Sequence, residues 1–276
     1  MDKSNKITVS AVVPVFEEEK TIAGVITALL SSPLLDEVIV VNDGSSDSSP
    51  EIIKSFEPRI KFINLRKNRG KGFALAKGIR KAQGEIVTFW DADNIGLGES
   101  HVRSLLEPIL NGKADAVIGY RVNHGDFLSP FKELTGQRAY RRRDLIPHLN
   151  QIAHSRFGVE VYLNDVFRDR KTVRIGWKDL KSLQKYQKFD SQKAVQEYTK
   201  EGIEIAKTLT KQGMKELKED WKNLQKISPT AGLGELERRA QAIRNPRLKQ
   251  ILNDYIFRYL NPNKKGRTPL ASGLGD

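Results

Sequence analysis

Short apolar runs alternate with stretches of helical spacing over the first 120 residues. Residues 8–13 form one such run and predict a buried strand, stopped by Pro14. Between 17 and 32, Ile22, Val25, Ile26, Leu29 and Leu30 share one face of a helix. Residues 37–41 predict a second strand. The helix after it carries Ile52, Ile53 and Phe56, and Asp47 or a neighbouring serine caps its start. A third strand covers 61–65, and a helix covers 70–83 with Gly84 as its stop. Residues 85–90 are a fourth strand, 99–110 a helix with Val102, Leu105, Leu106 and Ile109 inward, and 114–120 another strand. Strands alternating with helices build βαβ units, so the fold class is α/β, a mostly parallel sheet covered by helices. Right-handed crossovers gather the strand-end loops at one edge, where ligands bind.

From about 127 to 165 the rhythm loosens. Residues 136–149 read as a helix and 159–163 as a strand. From about 178 onward the pattern is helical, with Tyr198, Ile205, Leu209, Leu217, Trp221 and Leu224 on one stripe and lysines mostly off it. Ser228-Pro229-Thr230-Ala231-Gly232 interrupts it, and a second helix follows over about 235–260. This organises the chain as a catalytic domain over 1–165, a helical Lys-rich extension over 166–260, and a Gly-, Pro- and Ser-rich tail over 261–276 that reads as disordered.

Charge sharpens the division. The net charge is +13, and residues 165–276 hold 25 Lys and Arg against 14 Asp and Glu. The basic extension suits an anionic surface such as lipid headgroups; a solvated helix surface explains it equally well. Nucleic acid is not expected, because the lysines lack interleaved stacking aromatics. The chain contains no cysteine, which excludes disulfides and thiolate metal sites and fits a reducing compartment. Residues 1–6 are polar and lead into a short apolar run, unlike a signal peptide or a membrane anchor. The expected location is cytoplasmic, with peripheral attachment to the inner face of the membrane as an option.

Candidate chemistry lies at three strand ends. The run Ile86–Trp90 stops in Asp91-Ala92-Asp93. If extended geometry continues through 93, both carboxylates point one way, and two hard oxygen ligands suit Mg²⁺ or Mn²⁺ holding a diphosphate. Asn42-Asp43-Gly44-Ser45-Ser46-Asp47 offers a carboxylate to a base or sugar beside a tight turn. Val13-Pro14-Val15-Phe16-Glu17-Glu18 follows the first strand. Asn68-Arg69-Gly70-Lys71-Gly72 opens a helix with glycines and cations, as a phosphate site requires. Its spacing does not match the three-glycine dinucleotide fingerprint.

These motifs, in this order, resemble those of family 2 glycosyltransferases, and the resemblance covers roughly residues 7–165. It implies the GT-A fold, a nucleotide-diphospho-sugar donor, a divalent metal and inversion at the anomeric carbon. It places Pro14, Phe16 and Glu18 near the nucleotide, Asp43 on the base, and Lys71 near the nucleotide or its phosphates. It places Asp91 near the ribose or sugar and Asp93 on the metal, with Asp91 as a second candidate ligand. Gly119-Tyr120-Arg121 and Thr135-Gly136-Gln137-Arg138-Ala139-Tyr140-Arg141-Arg142 resemble the dolichyl-phosphate mannose synthase branch, where such arginines meet the acceptor phosphate. Arg121 and Arg138 are the candidates here, since a planar guanidinium binds phosphate bidentately. Phe157-Gly158-Val159-Glu160-Val161 resembles a later acidic motif, which adds Glu160. The chain departs from the branch after Asp93, where it reads Asn94-Ile95-Gly96, and Asn94 is only a modest metal ligand. It also lacks the Gln-x-x-Arg-Trp motif of processive polysaccharide synthases.

The reading implied is transfer of a hexose to a polyprenyl phosphate. A hydroxyl acceptor on the same fold is the alternative, and a catalytically silent nucleotide-sugar or membrane-binding protein is the rival of another class. The basic helix either lies on the membrane or packs against the catalytic domain or a second copy in a homodimer.

Overall fold

The computed structural model describes residues 6–122 and 134–182, with Arg238 and Gln241 as isolated positions. In chain order the elements are β1 (Val9–Val15), α1 (Ile22–Leu30), β2 (Glu37–Asn42), α2 (Ser49–Lys54), β3 (Lys61–Asn64), α3 (Lys71–Lys81) and β4 (Ile86–Phe89). Then come β5 (Asn94–Ile95), α4 (Glu99–Leu110), β6 (Ala116–Arg121), β7 (Gln137–Arg141), α5 (Arg142–Leu145), α6 (Leu149–His154), α7 (Val159–Val166), β8 (Thr172–Trp177) and β9 (Lys181–Ser182). Short 3-10 turns at Ile146–His148 and Arg156–Gly158 link the last helices.

The main sheet has the order β3-β2-β1-β4-β7-β6-β8. Only β7 runs antiparallel to its neighbours among the described strands of this sheet. Period-two alternation divides the core. Val9, Ala11, Val13 and Val15 of β1 face α1 and α4, where Ile22, Ile26, Leu105 and Leu106 are buried. Val12 and Ile39 face the other side, against Ala74 and Ile79 of α3, Ile152 of α6 and Leu163 of α7. Each Val, Leu or Ile side chain among them, taken out of water, contributes about 1.5–3 kcal/mol. The chain order turns back between β1 and β4. A crevice therefore opens there beyond the carboxyl ends of the strands, the usual place for a ligand in an open α/β sheet.

Several expectations need correction. Pro14 does not stop β1, which runs on to Val15 with Pro14 opposite Val41. The carbonyls of Thr8 and Val12 accept hydrogen bonds from Ile86 and Trp90, so even-numbered residues of β1 face β4. The β1–β4 pairing ends at Val12–Phe89, so the N–H that Pro14 lacks coincides with the end of that ladder, while β1 continues against β2. Residues 136–149 are not one helix. Gln137–Arg141 is β7, inserted between β4 and β6, and helix begins only at Arg142. Residues 159–163 form α7 and not a strand; Val159 and Leu163, one helical turn apart, are its buried side. Gly84 is not the stop of α3, which ends at Lys81 with extended Ala82 as its cap.

The sheet also continues past residue 165. β8 pairs in parallel with β6, and Trp177 from its end stacks on Trp90 with ring centroids 6.1 Å apart. β9 then pairs antiparallel with β5, Ser182 opposite Asn94 and Lys181 opposite Ile95. The compact unit therefore extends at least to Ser182. Beyond it, the helical extension and the tail expected from the sequence lie outside the described residues. Among the described residues no helix is long and apolar enough to cross a membrane.

Candidate active site

The loops after β1 and β2 are knitted together at the carboxyl edge. The Glu17 N–H donates to Ser45 Oγ at 3.0 Å, the Glu18 N–H to Ser49 Oγ at 2.9 Å, and the Ser46 N–H to Glu17 Oε1 at 2.7 Å. Glu17 thus serves the scaffold, with a left-handed φ of 57°. Pro14, Phe16 and Glu18 are half-buried along this rim, and Glu18 Oε2 accepts the Thr21 hydroxyl at 3.1 Å.

Asp43, just beyond β2, is 2% exposed. Its two oxygens accept the N–H groups of Arg69 (2.8 Å) and Gly70 (2.7 Å). Burial pushes this carboxyl above the usual range, and the two N–H donors with the nearby charges of Arg156 and Arg69 oppose the shift. Gly70 has φ +96°, a backbone conformation that side-chain-bearing residues rarely adopt. Asp43 therefore fastens the start of α3 to β2.

Lys71 opens α3 and lies between two carboxylates. Its Nζ is 2.6 Å from Asp91 Oδ1 and 2.6 Å from Glu160 Oε1. Burial disfavours the ammonium, but Asp91 and Glu160 more than offset it and hold Lys71 above the ordinary lysine range. Burial likewise works against the charge on Asp91, yet Lys71 first and Arg121 next keep its carboxyl below the usual range. Asp91 Oδ2 also accepts Gln137 Nε2 at 3.1 Å and the Gly136 N–H at 3.3 Å.

Asp91 and Asp93 do not point the same way. β4 ends at Phe89, and residues 92 and 93 form a turn. Asp91 turns toward Lys71 and Gln137, while Asp93 Oδ1 stands 3.7 Å from Arg121 Nη1 at the end of β6. Asn94 is buried between them. Its Nδ2 donates to the Asp91 carbonyl (2.8 Å), and its Oδ1 receives Gln137 Nε2 (2.9 Å) and Arg121 Nη1 (3.4 Å).

Among the described residues there is no group of three or more His, Cys, Asp or Glu arranged to hold a metal ion. The donor set nevertheless fits one kind of cation. Asp93 adds a second, partly exposed carboxylate in the turn after β4, beside Arg121. Mg²⁺ is typically held by one or two carboxylates together with substrate phosphates and water, and a site of this kind suits it.

The arginine expectations divide. Arg121 lies at the crevice. Arg138 does not: it is 1% exposed, with its guanidinium donating to the Thr135 carbonyl (2.7 Å), Asn164 Oδ1 (2.7 Å) and the Tyr140 hydroxyl (3.0 Å). It is a core group whose hydrogen bonds offset its burial, not one that faces an acceptor. Arg141 pairs with Ile86 at the far end of the sheet. Glu160, by contrast, is brought into the site by α7, 6% exposed.

Two residues here were not singled out from the sequence. Gln137 is fully buried and joins Asp91 to Asn94, with its Oε1 held by the Thr135 hydroxyl. A Cβ on Gly136 would lie 2.0 Å from Asp91 Oδ1, so only glycine lets the two segments approach. The available signal was the tripeptide Thr135-Gly136-Gln137, whose small and amide residues directly precede a strand.

Comparison with known proteins agrees with this geometry. The family model described as glycosyl transferase family 2 matches residues 10–168, more than half of the chain. A poly-β-1,6-N-acetyl-D-glucosamine synthase of Staphylococcus epidermidis is 38% identical over 90 residues, 32% of this chain and 22% of that protein. A dodecaprenyl-phosphate galacturonate synthase of Rhizobium johnstonii is 27% identical over 135 residues, 46% of this chain and 40% of that protein. The matched stretch thus spans less than half the length of either curated relative. Glucosyl-3-phosphoglycerate synthase of Mycobacterium tuberculosis, solved with Mn²⁺, UDP and glucosyl-3-phosphoglycerate, superposes with a TM-score of 0.53 at 22% identity, over 64% of this chain and 72% of that one. That likeness establishes the fold, the GT-A architecture implied by the sequence motifs.

Proposed function

Because the chain belongs to glycosyl transferase family 2, we propose that it moves a hexose from a nucleotide-diphospho-sugar to a polyprenyl phosphate, with inversion at the anomeric carbon. The observation that carries the donor half is the convergence of Asp43, Lys71, Asp91, Asp93 and Arg121 on the crevice at the carboxyl ends of β1, β2, β4 and β6. The nucleoside would rest against the rim of Pro14, Phe16, Glu18 and Asp43. Asp91, held by Lys71 and Gln137, presents a fixed acceptor for ribose or sugar hydroxyls. Asp93 would hold Mg²⁺ or Mn²⁺, which when bound neutralises the charge that grows on the leaving diphosphate. Arg121 adds a second positive group on that side, aimed where an anion develops.

For the acceptor half, the resemblance to the dolichyl-phosphate mannose synthase branch would assign Arg121 to the acceptor phosphate, while its place beside Asp93 favours the side of the leaving diphosphate. A phosphate monoester is already an anion near neutral pH, so it requires little help from a base. The similarity to a dodecaprenyl-phosphate galacturonate synthase supports an acceptor of this class. The lysine-rich composition of residues 165–276 supports work at an anionic membrane surface on the cytoplasmic side.

A second reading has its own observation. Glu160 brings a buried carboxylate to the site beside Lys71. A hydroxyl acceptor needs a base, and Glu160 would serve as that base. The similarity to a poly-N-acetylglucosamine synthase is in line with this.

A panel of sugar nucleotides with Mg²⁺ or Mn²⁺ tests both, with released nucleoside diphosphate as the signal. Release stimulated by a polyprenyl phosphate supports the first reading, and release stimulated only by a soluble saccharide supports the second. No release from any donor with either acceptor class refutes transferase activity.

A further inference from the structure

We infer that Arg121 couples cation binding to diphosphate binding: standing beside Asp93, it opposes a divalent cation on that carboxylate unless a diphosphate binds with it. The inference rests on the proposed role of Asp93 as the cation ligand.

The position of Arg121 is built from the interior outward. The Thr135 hydroxyl holds Gln137, and Gln137 holds Asn94 Oδ1 at 2.9 Å. Asn94 is further fixed by its own bond to the Asp91 carbonyl, 2.8 Å. Asn94 Oδ1 then receives Arg121 Nη1 at 3.4 Å, which keeps the guanidinium 3.7 Å from Asp93 Oδ1. Thr135, Gln137 and Asn94 are all buried. Such a set of buried amides holds one geometry, because each group left unbonded would cost free energy.

The charge on Arg121 is permanent, since a guanidinium does not lose its proton in proteins. A cation bound to either oxygen of Asp93 at the usual distance of about 2.0–2.2 Å would lie within about 8 Å of Arg121 Nη1. That is no farther than the screening length of about 8 Å in physiological salt. The two side chains are only 25% and 24% exposed, so solvent shields the repulsion incompletely. Asp91 gives little relief, because Lys71 already takes its charge at 2.6 Å. The cation would meet one carboxylate that is shared with an arginine. A diphosphate reverses the balance, because its oxygens serve the guanidinium and the cation together. By linkage, the diphosphate tightens the cation and the cation tightens the diphosphate by one common factor. Arg121 sets much of that factor.

The test measures Mn²⁺ binding to the full chain by the spin-resonance signal of the free ion, with and without inorganic pyrophosphate. A protein-free blank corrects for the Mn²⁺–pyrophosphate complex. In the wild type, pyrophosphate should raise Mn²⁺ affinity by about tenfold to a hundredfold. Arg121→Gln should bind Mn²⁺ alone about tenfold more tightly than wild type, with the pyrophosphate effect reduced accordingly. Arg121→Lys, which keeps the charge, should stay near wild type. Arg121→Met serves as a second charge-free variant should the glutamine form fail to fold. A charge-free variant with unchanged or weaker affinity for Mn²⁺ alone overturns the inference, as does a wild type indifferent to pyrophosphate. Asp93→Asn keeps the two ideas apart. If it leaves Mn²⁺ affinity in pyrophosphate unchanged, the assignment of Asp93 as ligand fails; if it abolishes binding while Arg121→Gln changes nothing, only the coupling fails.

Discussion

Replacing Lys71 with methionine removes the ammonium that Asp91 and Glu160 share and leaves two carboxylates whose contacting oxygens were each 2.6 Å from one nitrogen. The gross attraction lost is about 6 kcal/mol for each contact at an effective dielectric constant near 20. Most of that was offset by desolvation, and the net cost of stripping one partner from a buried ionic group is about 3–5 kcal/mol. The pH dependence carries the reasoning further. In the wild type, the lowered Asp91 carboxyl contributes stability that is complete above its unfolded value of about 3.9 and is lost as pH falls through its folded value. The raised Lys71 contributes stability that is complete below about 10.4 and is lost as pH rises through its folded value. Between about pH 5 and 9 the contributions of Asp91 and Lys71 are therefore flat. In Lys71→Met the two carboxylates lose the counter-charge they share, so the folded protein takes up a proton that the unfolded chain has released. Stability of the variant then falls with rising pH, by up to about 1.4 kcal/mol per unit. Urea unfolding followed by tryptophan fluorescence from pH 5 to 8.5 measures this, with buried Trp90 next to the site as a reporter. The destabilisation should be small at pH 5 and reach about 3–5 kcal/mol at pH 8.5. A loss below about 1 kcal/mol that does not change with pH would refute the account of Lys71 as the shared counter-ion.

Asp43→Ala should both raise the KM for the donor and destabilise the domain by about 2–4 kcal/mol, because two N–H donors of the α3 start lose a buried carboxylate; titration calorimetry and urea unfolding of the same variant separate the two effects. Gly136→Ala should cost about 1–3 kcal/mol and abolish most turnover, since the new methyl group falls on Asp91; unchanged kcat would show that Asp91 need not stay where it is. The full chain should sediment with anionic but not neutral liposomes, and lose that binding at high salt, with an attraction of roughly 1 kcal/mol for each lysine near the surface; binding indifferent to both lipid charge and salt would remove the electrostatic basis for a membrane role.

The amphipathic helix α4 and the apolar strands β2 and β4 were legible in the sequence because apolar burial is their whole role, and periodicity reports burial. β7 was not, for a physical reason. Its segment Gln137–Arg141 lies inside the sheet yet carries polar side chains whose hydrogen bonds replace the apolar signal. The β-branched residues Val159 and Val161 suggested a strand, but the context of α7 overrode that propensity. At the candidate site, Asp43, Asp91 and Asp93 stood out in the sequence because they follow strand ends, and Lys71 because it opens a helix beside glycines. The partnership of Lys71 with Glu160 joins segments far apart in sequence, and no local spacing encodes it. The same limit applies to Arg138. An arginine beside an expected phosphate site and an arginine that bonds Asn164 inside the core read alike until the fold turns the side chain one way.

The small β5–β9 ladder has a mechanical consequence. Asn94, the residue after Asp93, is paired through its backbone with Ser182, beyond which the chain continues toward residue 276. Tension on that later portion, from docking or from a tethered partner, would reach the acid loop through a ladder only two residue pairs long. So short a ladder is a weak link beside the broad main sheet and would part first. A pull from outside the domain would thus release the short strand after Asp93 while the main sheet stayed paired.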